Sequence, residues 1–555
     1  MSPSSPIAKL ADDFAEDYLR RRPEAATALG DRRFDDRLSE VGPKDREEER
    51  HRLEDLKARL ARIDRGTLEG EDAITHHMLE LAADYGLANL DRRLYHLGLH
   101  QMFGPQVSLA LLLNWHTLET EQNARDLLSR FGQFPRFMEQ YVGDLREGLA
   151  ERRTSPRIAY ERVTAQLRTL LATPPAQSPY GRAAEKVDSV LRDDLLGSVE
   201  DDVYPAFRSL LDFLEKEYAE HARSEPGLWA IPGGEEAYAE LVRQVTQSDL
   251  TPEQVHRIGL DELRGIHDEM RVLGVSDVRE HARLLQGDER DHFRTRDELM
   301  EAAQVLYDRA YAALPRLFGH LPATPCRVIP IEEYRERDSV AAFYYPPSED
   351  GSRPGTFYVN TYQPDTRPRY NLAALTVHES VPGHHLQIAI QNEARDIPRF
   401  RRHRLGTQGA LVAFTEGWGL YSERLGTEME MYEGDLDRFG MLSYQAWRAA
   451  RLVVDTGLHA LRWPRDQAIR FLLDNVGLPE TEVVNEVDRY IVMPSQALAY
   501  KIGQRHIEAL RRKAKERLGV RFDVRAFHDE LLRHGAVPLS TATLVIERWI
   551  DSLAR

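Results

Sequence analysis

Cysteine is almost missing from this chain: Cys326 stands alone among 555 residues. That excludes an intrachain disulfide framework and a thiolate metal site. Cys326 itself reads as a small, buried or half-buried residue near a turn. Long apolar runs are missing as well. No uninterrupted stretch reaches the roughly 18 residues of a membrane span, and the amino-terminal segment, punctuated by Asp and Glu, has no signal-peptide core. The expectation is a cytoplasmic protein with no membrane partner. Basic charge is in deficit, with 74 Lys and Arg against 91 Asp and Glu and a net charge of -17. A phosphate-binding surface needs a local basic excess, so nucleic acid is not expected as a partner. The basic run Arg399–Arg404, broken by a phenylalanine and a histidine, reads as a solvated face.

What is present suits a folded protein, with 42% hydrophobic and 30% charged residues. The length exceeds what one core usually holds. Two regions are therefore expected, 1–240 as an amino-terminal helical region and 241–555 as a second helical region. Apolar and charged positions alternate at three-to-four spacing over 5–25, 46–65, 70–90 and 128–150, which predicts helix. Thr251, Pro252 and Gln254 predict a capped helix start. Residues 325–362 depart from this pattern. Their Val-Ile, Phe-Tyr-Tyr and Phe-Tyr-Val runs, bounded by Pro, Gly and Ser, predict two or three short strands. An edge strand there could hold an extended peptide by main-chain hydrogen bonds, and Phe357, Tyr358 and Asn360 are the substrate-binding candidates on it.

The segment TVHESVPGHHLQIAIQ (Thr376–Gln391) carries the strongest chemical signal. His378 and Glu379 are a zinc ligand and a general base in kind. The usual zinc-hydrolase spacing places the second histidine four residues on, where this chain has Pro382. Proline disfavours a continuous helix there. In an unbroken helix His378 and His385 would stand about 10 Å apart along the axis, too far for one ion. A bulge over Ser380–Gly383 could shorten the path and re-aim either His384 or His385. The two extra residues suggest His384 as ligand, with His385 supporting it or touching substrate.

A third ligand is expected from LVAFTEGWGLYSERLG (Leu411–Gly426). Glu416 lies in an otherwise apolar stretch, where an unpaired carboxylate would be costly. Glu423, two turns later on nearly the same face, could orient a ligand histidine or pair with a basic residue. Further along, Asp455 and His459 are an i,i+4 pair that either supports the metal shell or stitches two helices together. Tyr500 could donate to an oxyanion, with Tyr490 a weaker rival, and Arg489 or Lys501 could receive a substrate carboxylate. His528 and His534 flank a late helix and either line a cleft or decorate that helix.

The blocks HESVPGHHLQ, FTEGWGLYSE, RLVVDTGLH and MPSQALAYKIGQ together resemble the bacterial domain-of-unknown-function 885 family, over about residues 5 to 552. Members of that family are regarded as zinc peptidases distantly similar to angiotensin-converting enzyme, neurolysin and thermostable carboxypeptidase. The resemblance implies a mostly α fold with two helical lobes around a deep cleft and a small β-sheet beside the active-site helix. It also implies one zinc ion held by His378, His384 and Glu416, with Glu379 as general base and Tyr500 as the late-helix tyrosine. Short peptides are the expected substrates. A zinc-dependent amidase of small amide conjugates and a non-catalytic helical binding protein are the alternatives.

Overall fold

Capping chemistry starts many of the helices where the sequence pattern places them. Ser5 accepts from the amide of Ala8 to open Pro6–Arg21, and Thr251 forms a reciprocal capping box with Gln254 to open Pro252–Val272. The computed structural model describes residues 5–187, 189–337 and 339–554. It is 72% helix and 3% strand, which puts the chain in the mostly α class.

Burial divides the helices between two hydrophobic clusters. One spans Leu38 and Leu99–Ala222, with Phe131, Phe134, Tyr180 and Phe207 meeting edge to face at its centre. The other takes in Ile7–Ala83 together with Leu228–Ile550. The seam therefore does not follow the expected boundary near residue 240. The first helices fold back onto the carboxy-terminal part of the chain, a long-range packing that local periodicity does not encode. Asp488 fastens the seam. Its carboxylate accepts from Arg162 Nε at 3.0 Å and from Arg465 Nε at 2.6 Å, and its carbonyl accepts from Gln101 at 3.0 Å.

Among the described residues the sheet has three strands, β1 (Cys326–Pro330), β2 (Ala342–Tyr345) and β3 (Gly355–Val359). Their order is β1-β3-β2, with β3 parallel to β1 and antiparallel to β2. This corrects the expectation for Phe357, Tyr358 and Asn360. β3 is the central strand, so both of its backbone edges are paired and no peptide can add to it. Phe357 faces Val328 and Tyr344 across the two ladders and is fully buried. Asn360 is spent on the turn, donating to the carbonyls of Glu336, Ser339 and Val340.

The helices that position the candidate site follow the sheet. They are α1 (Leu372–Glu379), α2 (His384–Glu393), α3 (Gln408–Glu428), α4 (Gly434–His459), α5 (Glu480–Val492) and α6 (Ala499–Leu518). α4 is buried continuously from Phe439 to His459, and α3 packs along α6. The run Arg399–Arg404 is not a solvated face. Arg401 is 1% exposed and donates to Glu71, Thr75 and the carbonyl of His534, so its charge is matched inside the protein.

Candidate metal centre

The break between α1 and α2 sets the geometry. Ser380 keeps a helical bond to the carbonyl of Thr376, but the amide of Gly383 reaches the carbonyl of Val377, six residues back. An α-helical amide bonds four residues back, so two residues are looped out, with the Val381–Pro382 peptide cis. Helix resumes when His385 and Gln387 bond to Ser380 and Gly383. A Cβ at Gly383 would stand 1.9 Å from the carbonyl oxygen of His378, so only glycine permits the loop to close. Trp418 on α3 donates to the Pro382 carbonyl at 2.8 Å and fixes the loop against the neighbouring helix.

Looping out two residues puts His384 where the second histidine of a regular site would stand. The imidazoles of His378 and His384 lie 4.8 Å apart, ring centre to ring centre, and are perpendicular. Glu416 Oε2 is 3.7 Å from His378 Nε2 and 3.4 Å from His384 Nε2. Two donors each about 2.0–2.1 Å from a tetrahedral zinc sit roughly 3.3 Å apart, so these separations fit a shared ion. Ligand atoms of Glu379 and the two histidines also fall within 4.8 Å of one another. Glu416 belongs with this group because it approaches both imidazoles at once.

Glu423 decides which nitrogen of His378 faces the centre. Its Oε1 lies 2.8 Å from His378 Nδ1, so Nδ1–H donates to Glu423 and Nε2 is the nitrogen turned toward Glu416. A Cβ at Gly419 would come within 2.8 Å of that Nε2, so the glycine lets the imidazole lie against α3. Behind Glu423 a buried chain continues. Gln445 donates to the other carboxylate oxygen at 3.0 Å, and its own carbonyl accepts from Lys501 at 2.8 Å and Gln504 at 2.9 Å. Lys501, 2% exposed and lowered to about 8 by burial, thus supports Glu423 from behind. It is not placed to receive a substrate.

The carboxyls differ in their electrostatics. Burial raises Glu379 above the ordinary carboxylate range, and the two imidazoles only partly offset this. Burial also works to raise Glu416, but His378 and His384 outweigh it and hold that carboxyl well below its usual value. Burial lowers His378, yet Glu416, Glu423 and Glu379 reverse the effect and lift it to about 10. Glu416 therefore stays anionic between the two imidazoles, as a metal ligand must.

Other predicted residues lie elsewhere. His385 is buried with both nitrogens engaged, Nδ1 with the Tyr344 hydroxyl at 3.0 Å and Nε2 with the Thr324 carbonyl at 3.1 Å, so it ties α2 to the sheet. Asp455 accepts from Tyr238 at 2.6 Å and from the amide of Ser495 at 3.0 Å. His459 bridges the Leu228 amide and the Tyr490 carbonyl. These two residues fasten separate segments and do not support His378. His528 is fully buried between the Tyr421 hydroxyl and the Leu317 carbonyl, and His534 pairs with Glu71, so neither decorates a surface. Tyr490 is locked by Trp447 and Arg451, each donating at 2.9 Å. Tyr500 is different. Its ring lies 6.4 Å from that of His378, inclined by 24°, and its oxygen accepts from Arg489 at 3.3 Å and Gln496 at 3.4 Å. With the oxygen already accepting, its own proton is left to donate.

Asp455 carries a pH signature. Burial raises it to about 7 despite the Tyr238 and Ser495 bonds, so the folded state holds a proton that the unfolded chain releases near pH 4. This contribution is fully present below about pH 4 and is lost as pH rises through 7. The Asp455→Asn variant should lack that part of the slope. Denaturant midpoints of both proteins between pH 4 and 8 measure it, and parallel curves would contradict it.

Sequence reasoning missed Arg404, whose charge faces Glu416 and Tyr344 from a left-handed turn, and Arg448, which lies 3.7 Å from Glu423. Arginine in a basic or amphipathic run carries no signal that it will be buried.

The model of the family "Bacterial protein of unknown function (DUF885)" matches residues 23–545, and the chain belongs to that family. No curated protein matches it significantly. A crystal structure from Colwellia psychrerythraea is similar, with TM-score 0.91 and 28% identity over 98% of this chain and 99% of the other. A structure from Shewanella oneidensis shares the fold, with TM-score 0.77 and 17% identity over 98% of this chain and all of the other. Both carry the provisional label of lipoprotein, the second also described as of unknown function. Among the described residues of this chain, no helix is long and apolar enough to cross a membrane.

Proposed function

We propose that this member of the DUF885 family is a zinc-dependent hydrolase of amide bonds in short peptides. One observation carries the reading: Glu416 Oε2 approaches Nε2 of both His378 and His384, at 3.7 and 3.4 Å, and Glu379 stands beside the two imidazoles with its carboxyl shifted the opposite way from that of Glu416. Opposed shifts in neighbouring carboxyls are the pattern of divided labour, one staying anionic and one exchanging a proton. Zinc, when bound by His378, His384 and Glu416, supplies a Lewis acid for an amide carbonyl and acidifies water.

The chain's own groups do the rest. Glu379 takes a proton from the attacking water and delivers it to the amine nitrogen as the carbon–nitrogen bond breaks. Glu423 keeps His378 in the tautomer that offers Nε2. Tyr500 donates its hydroxyl proton in a hydrogen bond to the carbonyl oxygen as charge develops there. Purified protein loaded with zinc and given a mixed library of short peptides tests the reading by mass spectrometry. A full zinc complement with no cleavage of any peptide would favour a binding protein instead.

Tyr500→Phe should lower kcat about a hundredfold, the usual loss for one oxyanion donor, with zinc content unchanged. A variant within twofold of the parent would remove Tyr500 from the chemistry. Metal binding should also release protons. His378, held near 10 without metal, must give up a proton to become a ligand. Calorimetry at pH 7.5 in buffers of different ionisation enthalpy should show about one proton released per zinc, and affinity should weaken as pH falls. Zinc uptake with no proton release would contradict the ligand role of His378.

A further inference from the structure

Next to the metal centre lies a buried cluster of arginines that the proposed chemistry does not use. Arg448 and Arg451 are three residues apart on α4, 4% and 2% exposed, and Arg489 reaches the same place from α5. Arg448 lies against Trp447 and Tyr444, with its guanidinium carbon 4.3 and 4.6 Å from the ring centres. Arg451 lies 4.2 Å from Trp447 and 4.4 Å from Tyr500.

Part of this charge is matched. Glu486 accepts from Arg451 at 3.0 Å and from Arg489 at 3.3 Å, and Arg448 stands 3.7 Å from Glu423. The remainder is not. Arg448 Nε and Nη1, Arg451 Nη1 and Arg489 Nε are buried with no hydrogen-bond partner among the described residues. Glu482 faces Arg367, Arg448 and Arg451 from α5, but burial raises its carboxyl to about 7, so it neutralises them only partly. Buried guanidinium groups with unmatched donors are costly unless an anion completes them. Their planar forks suit a carboxylate.

We propose that this arginine cluster binds the free α-carboxylate of the substrate, which makes the hydrolysed amide one near a carboxy terminus. The position supports this. Tyr500 neighbours both the cluster and the metal centre, 4.4 Å from the Arg451 guanidinium and 6.4 Å from the His378 ring. An extended residue spans about 3.5 Å, so a carboxylate held at Arg451 stands no more than about three residues from an amide held at His378. The substrate class is then short peptides trimmed from the carboxyl end, or N-acyl amino acids. The inference rests on the hydrolase reading for its reaction but not for its binding.

Binding can be measured without turnover. The zinc-loaded protein is titrated by calorimetry with the ketomethylene analogues of N-acetyl-phenylalanine, N-acetyl-leucine and N-acetylglycine, in which CH2 replaces the scissile NH, and with the three corresponding amides. At least one acid should bind tenfold or more tightly than its amide, and Arg448→Gln and Arg451→Gln should each reduce that preference by tenfold or more. Equal binding of acid and amide by the parent protein, which needs no variant to fold, would overturn the proposal, as would failure of all six to bind. An acid preference that survives both substitutions would belong to the metal and would also overturn it. Tighter binding of inorganic phosphate than of any acid would reassign the cluster to a phosphate. If the acid preference holds while no acylated peptide is cleaved, the carboxylate site stands and the hydrolytic function falls.

Discussion

Glu379→Gln is expected to lower peptide hydrolysis by about 10²- to 10⁴-fold, the usual contribution of a positioned acid–base group, while zinc content and thermal midpoint stay at the parent values. The amide keeps the size and polarity of the carboxylate but cannot take up a proton. Structure favours an isolated effect. Glu379 lies beside the two imidazoles without being the carboxylate closest to both, a place held by Glu416 at 3.4 and 3.7 Å. Burial already raises the Glu379 carboxyl, so neutral glutamine should be tolerated there. Inductively coupled plasma analysis and a peptide-release assay on the same preparation make the measurement. Undiminished hydrolysis would exclude Glu379 as the proton carrier, and loss of zinc alongside activity would recast it as a ligand.

The second large effect separates the adjacent histidines. His384→Ala should abolish zinc retention through dialysis, because it removes one of three donors. His385→Ala should keep a full equivalent of zinc and instead lose stability. Removing that imidazole strands the Tyr344 hydroxyl and the Thr324 carbonyl, and unsatisfied buried polar groups cost roughly 1–3 kcal/mol each. Metal content and denaturant midpoint measured on both variants give a crossed pattern. The reverse pattern would move the second ligand to His385 and invalidate the looped-out geometry as the reason for the spacing.

Much of this could be read from local sequence. Helix over Leu372–Glu379, a break at Pro382, resumption at His384 and three short strands before them follow from proline, glycine and side-chain periodicity, which act within a few residues. The seven-residue interval from Glu416 to Glu423 likewise fixes a shared helix face before any neighbour is known. The four blocks that identify the family are also local. The strand assignment shows the limit. Phe357–Asn360 was legible as β-structure, but whether a strand is central or at an edge depends on what pairs with it, here β1 through a parallel crossover.

The arginines and Lys501 show the same limit for side chains. Arg401, Arg448 and Arg451 look in sequence like the solvent side of amphipathic helices, and Lys501 looks like a cation available to a substrate. In the fold α4 is enclosed from Phe439 onward, so Arg448 and Arg451 are buried beside Tyr500, and Lys501 lies behind Glu423 as part of the support of His378. The sequence alone determined the helical class, the kinds of donor and the irregular spacing between the histidines, because each is set by short-range backbone preference and residue chemistry. Only the tertiary structure decided which histidine faces Glu416, which strand is covered and which charges are buried together, because those depend on helices far apart in sequence packing against one another.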